Sequence, residues 1–260
     1  VNLASSNTAE GTVSPATLTF TEDNWETPQT VTVTGVNDNN SDGHQDYDIN
    51  LSAMVDTNET NKAVDFDGTN DYVSLSDGSS LNFGSNQGFT VEAWVKTTEN
   101  AGAIVTFRNS TNGTPVINLM VGYAGATTNN GKVMALIRGN GGGLAEVVGG
   151  SVNDDTWHHV ALTRNAGNTL ELYLDGVSQG TGSGAGANDA ITTDLKAVGA
   201  EEYWIQTSWA TANQRYLDGL VDEVRIWNTA RTQSEIQANM NKSLTGSESG
   251  LVAYYKMNDG

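Results

Sequence analysis

The 260 residues predict an all-β protein of packed antiparallel sheets, and three observations carry that expectation. Gly numbers 29 and Pro only 3, amid abundant Thr, Asn and Ser, the mix of many strands joined by tight turns. Short segments alternate apolar and polar residues, the period of a strand with one buried face. A helix signal stands at one place: Thr232 and Glu235 have the spacing of a capping box, with Ile236 and Met240 four apart behind it.

Taken in order, the first region is residues 1–56. Leu18 with Phe20, Val31 with Val33, and Tyr47 with Ile49 and Leu51 predict three strands. Three strands make a thin core, so this region is expected to be a small partial β-sandwich. The chain opens on Val1 with no secretion signal, and it is expected to be a piece of a longer protein. Asp38-Asn39-Asn40-Ser41-Asp42-Gly43 opens like a calcium-binding helix–loop–helix. Ile49 stands where the closing Glu belongs and the flanks read as strands, which leaves a polar hairpin or a weak calcium loop. Residues 57–61 are polar and aperiodic and read as a linker. A second domain is expected over 62–260.

That domain begins with Val64 and Phe66, then the acidic turn 67–71, then Val73 and Leu75. Further strands are expected over 89–95, 103–107, 115–123, 132–137, 144–148 and 157–163. Residues 170–174 run into an Asp175-Gly176 turn before Val177, a hairpin signal. Residues 220–227 precede the helix and 251–257 close the domain.

Composition excludes several functions. Twelve Lys and Arg face 31 Asp and Glu, a formal charge of −19 and a pI near 4.2, which repels nucleic acid and anionic membranes. No cysteine is present, so thiolate chemistry and sulfur-ligated metals are excluded. No apolar run approaches the roughly 18–20 residues of a membrane span, so membrane insertion is not expected. His158 and His159 are adjacent in a strand and point to opposite faces, a poor zinc pair. Glu92 and Glu171 stand alone on their strands, and Asp222 and Glu223, being neighbours, are expected to diverge. With no facing carboxylate pair and no nucleophile-elbow motif, an enzyme is not expected.

Two places remain as candidate sites. Asp222 shares the alternation of Leu220, Val224 and Ile226, so its carboxylate is expected on a core face, where it either accepts loop N–H groups or binds calcium. Asp67, Asn70 and Asp71 place side-chain oxygens within one turn, and a distant carboxylate such as Asp222 would complete a set for Ca2+. The polar stretch 199–215 carries Glu201, Glu202, Tyr203, Trp204 and Trp209. Indole faces stack on sugar C–H groups and carboxylates bind sugar hydroxyls. The alternative is a hairpin whose tryptophans pack on the sheet.

Two resemblances bear on these expectations. The first region, with GTVSPATLTF, Pro15, Phe20, Trp25, Pro28 and TVTVTGV, resembles the Calx-beta-like repeats of large bacterial surface proteins, which serve as spacers. In the second, DFDGTNDYV, FTVEAWVK, TWHHVALTR, LELYLDGV and LDGLVDEVRIWNTARTQSEI resemble, in order, the laminin G-like branch of the concanavalin A-like lectin/glucanase superfamily. That resemblance implies a two-sheet jelly roll with first and last strands adjacent, which would bring the 67–71 turn near Asp222. It also implies a structural calcium and glycan ligands. Stretch 199–215 is similar to the pentraxins' acidic calcium loop at Gly199, Glu201 and Glu202, and departs from it at Tyr203. The function expected is calcium-dependent binding of glycans or glycoproteins by an extracellular bacterial adhesin, in which neighbouring domains adjoin this one. A purely structural spacer is the main rival, and an accessory domain of a polysaccharide-degrading enzyme the third reading.

Overall fold

A strand with one apolar face must bury it, and here two sheets bury theirs against each other. The computed structural model describes residues 1–18, 27–37, 45–52, 63–75, 81–111, 113–123, 129–201 and 215–257. The chain divides into two compact units, Val1–Thr60 and Asn61–Gly260.

In the first unit, β1 (Asn2–Ser5), β2 (Gly11–Ser14), β3 (Thr32–Gly35) and β4 (Ile49–Ser52) form two antiparallel pairs, β1 with β4 and β2 with β3. Among its described residues Leu3 is the one apolar side chain fully buried, while Val33 and Leu51 face solvent. Strands β1 and β2 are additions to the sequence reading; their residues, NLAS and GTVS, hold no two large apolar side chains at alternate positions. The strand expected at Leu18 and Phe20 runs out of the described residues, although Leu18 N–H donates to the Val1 carbonyl at 2.9 Å. The 38–43 loop and the 57–61 linker also lie outside the described residues.

The second unit contains β5 (Val64–Asp67), β6 (Val73–Ser74), β7 (Phe89–Thr97), β8 (Gly102–Arg108), β9 (Val116–Val121), β10 (Lys132–Arg138) and β11 (Leu144–Ser151). There follow β12 (His158–Arg164), β13 (Leu170–Leu174), β14 (Val177–Gly182), β15 (Leu195–Val198), β16 (Asp218–Trp227), α1 (Gln233–Asn239) and β17 (Leu251–Tyr255). Among the described residues these strands make an antiparallel sandwich. One sheet runs β11-β10-β9-β8-β15-β6, the other β14-β13-β12-β7-β16-β17, with β5 also on β16. It is the jelly roll that the sequence predicted. Phe89, Val91, Ala93 and Val95 of β7, with Val160 and Leu162 of β12, meet Val105, Phe107, Ile117 and Leu119 of the other sheet in one core. Phe83 stacks on Phe89 at 4.4 Å between ring centroids and lies 6.5 Å from Phe107, joining the two layers.

Local chemistry fixes the connections. Asp175 (φ 50°) and Gly176 (φ 71°) both take positive φ, the two-residue turn that matches strand twist between β13 and β14. Gly199 (φ 83°) has no room for a side chain: a Cβ there would lie 2.3 Å from the Phe66 ring. The capping box forms as expected, with Thr232 Oγ1 accepting from Glu235 N–H and Glu235 Oε2 accepting from Thr232 N–H at 2.8 Å. Helix α1 then sets Ile236 on Ala161 and Tyr173, on the outer face of the seven-stranded sheet.

Strand β16 departs from simple alternation. Against β7, Asp222 pairs with Trp94 but Arg225 with Glu92, so three steps on β16 match two on β7. The extra residue is Glu223, with φ 53°. This bulge shifts the phase, so that Val221, Val224 and Ile226 face the core. Asp222 lies on the opposite, outer face, not on a core face with Val224 and Ile226 as alternation alone predicts.

A single guanidinium holds one end of the sandwich. Arg164, fully buried at the end of β12, donates to the Gly84 and Gln87 carbonyls at 2.7 and 2.9 Å, and to those of Ala187 and Asp189 at 3.2 and 2.8 Å. It thereby ties the entry to β7 to the short 3-10 turn Ala185–Asn188, and it lies 4.7 Å over the Phe89 ring. Buried carbonyls left without a donor cost about 1–3 kcal/mol each. Arg164→Met should therefore lower the unfolding free energy of this unit by more than about 3 kcal/mol in urea titration. Arg164→Lys should recover little of it, because one ammonium cannot span carbonyls on both sides.

Candidate functional site

The outer face of the seven-stranded sheet carries the polar phase of its strands. On β7 these are Thr90, Glu92 and Trp94; on β12, His159, Ala161 and Thr163; on β16, Asp222, Arg225 and Trp227. Helix α1 and the chain after it cover part of this face, so charged groups are buried there.

Arg225 organises them. Its Nη1 donates at 2.9 Å to the Asn239 carbonyl, which also accepts the Lys242 N–H, and its Nη2 to the Lys242 carbonyl at 2.7 Å, so it ties the turn after α1 to the sheet. The same guanidinium pairs with Glu223 Oε2 at 2.5 Å, stands 3.8 Å from Glu92 Oε1, and lies 5.7 Å over the Tyr254 ring. Tyr254 OH donates to the Glu223 carboxylate at 2.7 Å, so Glu223 is held from two sides. Behind it Glu92 accepts from Trp227 Nε1–H at 3.0 Å. Burial raises the Glu92 carboxyl above its ordinary range, against the pull of Arg225. Burial, and then the Arg225 charge, push His159 down to about 3 and keep it neutral.

In front of this layer opens a cleft of about 320 Å³. Trp94, Trp157, Asp222, Glu223 and Arg225 line it, together with residues 240–243. Trp94 is fixed by a 2.8 Å hydrogen bond from its Nε1–H to the Met240 carbonyl and by an edge contact with His159. Trp157 is half-buried in the turn before β12. Asp222 is only 1% exposed and accepts the Glu223 N–H at 2.8 Å. Burial moves its carboxyl up to about 6; the Glu223 N–H opposes that shift, the Glu223 charge adds to it, and Arg225 opposes it. The bulge also brings Asp222 and Glu223 to the same cleft, where regular alternation would part them. Indole faces beside a few fixed polar groups are what a small polar ligand with C–H faces requires.

The other expected site residues are placed as follows. Asp67 pairs with Asp218 across the β5–β16 ladder, and Asn70 and Asp71 are exposed in the turn beyond it. First and last strands do share an edge of β16: β5 runs along Asp218 to Val221 and β17 along Val224 to Trp227. Asp222 nevertheless lies four residues past Asp218, about 13 Å along a strand. The structure therefore does not bring Asp67, Asn70, Asp71 and Asp222 together, and the carboxylate opposite the turn is Asp218. Among the described residues no three acidic or histidine side chains converge as metal ligands. Glu201 is buried between Arg108 and Arg215, the latter at 2.6 Å, with Asn118 Nδ2 at 3.4 Å. Its charge is matched inside the protein rather than offered to a ligand. Glu202, Tyr203, Trp204 and Trp209 lie outside the described residues.

Trp94, Trp157 and Arg225 were not among the expected site residues. The signal for Trp94 lies in β7, where Phe89, Val91, Ala93 and Val95 form the core phase and Trp94 falls with Thr90 and Glu92. A tryptophan on the polar phase of a strand needs a cover or a ligand.

Comparison with known proteins bears on the fold. Residues 67–237 match the family model Laminin_G_3, described as the concanavalin A-like lectin/glucanases superfamily. A candidate carbohydrate-binding protein from Bacteroides ovatus ATCC 8483 is similar at a TM-score of 0.58 and 21% identity, over 88% of this chain. This chain spans 59% of that protein. The native heptameric SAP-like pentraxin from Limulus polyphemus gives 0.50 and 15%, over 66% of this chain and 78% of its own. Domains LG4-5 of the mouse laminin α1 chain give 0.49 and 14%, over 65% and 42%. No curated protein matches the chain significantly.

The raised carboxyl of Asp222 links this site to stability. A folded-state value of about 6, above the ordinary 3.9 of Asp, means that the folded protein holds a proton which the unfolded chain has released. The contribution is fully present below about pH 4 and is lost as pH rises through 6. Asp222→Asn keeps an acceptor for the Glu223 N–H and removes the cost of the charge. It should gain about 1–2 kcal/mol on the parent at pH 7.5, allowing for screening by water in the open cleft, and the gap should shrink as pH falls and close below about pH 4. Urea titrations at the two pH values measure this, and a gap independent of pH would contradict it.

Proposed function

The chain belongs to the concanavalin A-like lectin/glucanases superfamily, and on that premise we propose that it is a carbohydrate-binding module whose ligand occupies the cleft between Trp94 and Trp157. The observation that carries this reading is the pairing of two indoles with a buried carboxylate in one open cleft. The rings offer stacking faces to a pyranose, and Asp222 accepts from its hydroxyls. The Arg225–Glu223 pair fixes the adjoining wall before any ligand arrives. Glu223 is engaged by Arg225 and Tyr254, so it is not free to serve as a second catalytic carboxylate, and the reading is binding without hydrolysis. A single shallow site of this kind binds at about millimolar Kd, or −4 kcal/mol, and repetition along a surface protein would raise the avidity.

The same reading places the module in an extracellular bacterial adhesin, with the first unit as a Calx-beta-like spacer. The charge of −19 suits a medium that supplies divalent cations. Calcium would sit between Asp67 and Asp218, which face each other across the ladder, with backbone carbonyls of the 67–71 turn as further ligands.

Two measurements test these proposals. A glycan array followed by calorimetric titration should find a sugar whose affinity falls at least tenfold in Trp157→Ala, with the fold intact by circular dichroism. If Trp204→Ala/Trp209→Ala loses the sugar while Trp157→Ala keeps it, the ligand belongs to the 199–215 stretch. In thermal melts, calcium at a hundredfold excess over Kd should stabilise by about 2.7 kcal/mol. Asp218→Asn should abolish that effect and Asp222→Asn should not; equal melts with calcium and with chelator in the parent protein would refute an exchangeable ion.

A further inference from the structure

The inference rests on the carbohydrate reading of the same cleft and narrows its ligand. We propose that the cleft selects a cationic sugar, an amino sugar with a free ammonium group, held against Asp222 with the sugar ring between Trp94 and Trp157.

Charged groups face Asp222 from several elements. On its own strand, Glu223 and Arg225 pair with each other at 2.5 Å. Arg225 also faces Glu92 of β7 at 3.8 Å, so its single positive charge is shared between two carboxyl groups. His159 of β12 is kept neutral by burial. Tyr254 of β17 donates to Glu223. Lys96, two residues beyond Trp94 on β7, pairs with Asp155 at 3.5 Å. After α1, Lys242 lends its carbonyl to Arg225 and lies exposed at the rim of the cleft. Arg225 is the cation of this set that acts on Asp222, and its charge is already divided between Glu223 and Glu92.

The geometry of Asp222 then sets the ligand chemistry. A carboxylate has about four acceptor positions. Asp222, almost fully buried, has one of them filled, by the Glu223 N–H. A neutral hydroxyl would fill another, but an ammonium also supplies the missing charge, in a partly desolvated place where charged hydrogen bonds are strongest. The two indoles act in the same direction, since their faces attract cations. So does the whole molecule, whose charge of −19 draws polycations and repels anionic polysaccharides.

The pH response has a characteristic form. Asp222 ionises near 6, and an amine flanked by electron-withdrawing oxygens titrates near the α-amino range of about 7.7–8.0. Binding should rise through pH 6 and fall above about 8.

The experiment is calorimetric titration of the 260-residue protein at pH 7 with three hexasaccharides: β-1,4-glucosamine, its fully N-acetylated counterpart, and β-1,4-glucose. The glucosamine hexamer should bind at least tenfold more tightly than the other two, with the bell-shaped pH dependence. Asp222→Asn should remove that preference, and Trp157→Ala should weaken all binding. Equal affinity for the three, unchanged in Asp222→Asn, would overturn the ammonium and leave the carbohydrate reading standing. A preference for glucosamine that survives both substitutions and vanishes in 0.5 M salt is attraction to the acidic surface, and would overturn the cleft as its site. No binding of these sugars or of any on the array would overturn both readings.

Discussion

The second unit's outer face depends on where one guanidinium puts its protons. Arg225 is buried on a sheet, and a buried charge is costly unless it is paired and hydrogen-bonded. Both of its Nη groups are met, by carbonyls at the end of α1 and beyond and by Glu223. Each contact does a second thing. The carbonyl contacts hold the helix end against the sheet, and the Glu223 contact stabilises a residue with positive φ, which a non-glycine residue adopts only at some cost. Helix seat, bulge and cleft wall therefore share one cation.

From that follows how a common scaffold acquires an individual site. The inner faces of the two sheets are occupied with each other, so variation is confined to loops, edges and outer faces. Here one inserted residue in β16 turns Asp222 outward and sets Glu223 beside it, under the rim formed by residues 240–243. Trp94, on the neighbouring strand directly opposite Asp222, completes the arrangement. Sheet register alone brings the carboxylate and the indole together, although 127 positions separate them in sequence.

What could be read from the sequence and what could not divides along the range of the interaction. The alternation of β7, the Asp175-Gly176 turn and the Thr232–Glu235 capping box involve residues a few positions apart, and each is found in the structure. Strands β1, β2 and β15 hold no two large apolar residues at alternate positions, the signal that reveals β4 and β5 at the same length of four residues. The bulge has no local signature, because its Glu at positive φ is held by Arg225 and Tyr254. Alternation without the bulge sets Asp222 on the core face and parts it from Glu223. Glu201 reads as an outward ligand for the same reason: its partners Arg108 and Arg215 come from other segments, and acidity in a loop does not reveal internal pairing.

The shared edge of β16 has a mechanical consequence. Strand β5 enters opposite Val221 and β17 leaves opposite Val224, so the chain comes in and goes out at neighbouring points of one strand. Tension applied at residues 63 and 256 would cross only that short stretch of backbone. The Phe-rich core and the Arg164 tie lie outside this load path, and stretching would first unpeel two edge strands, leaving the rest of the sandwich unloaded.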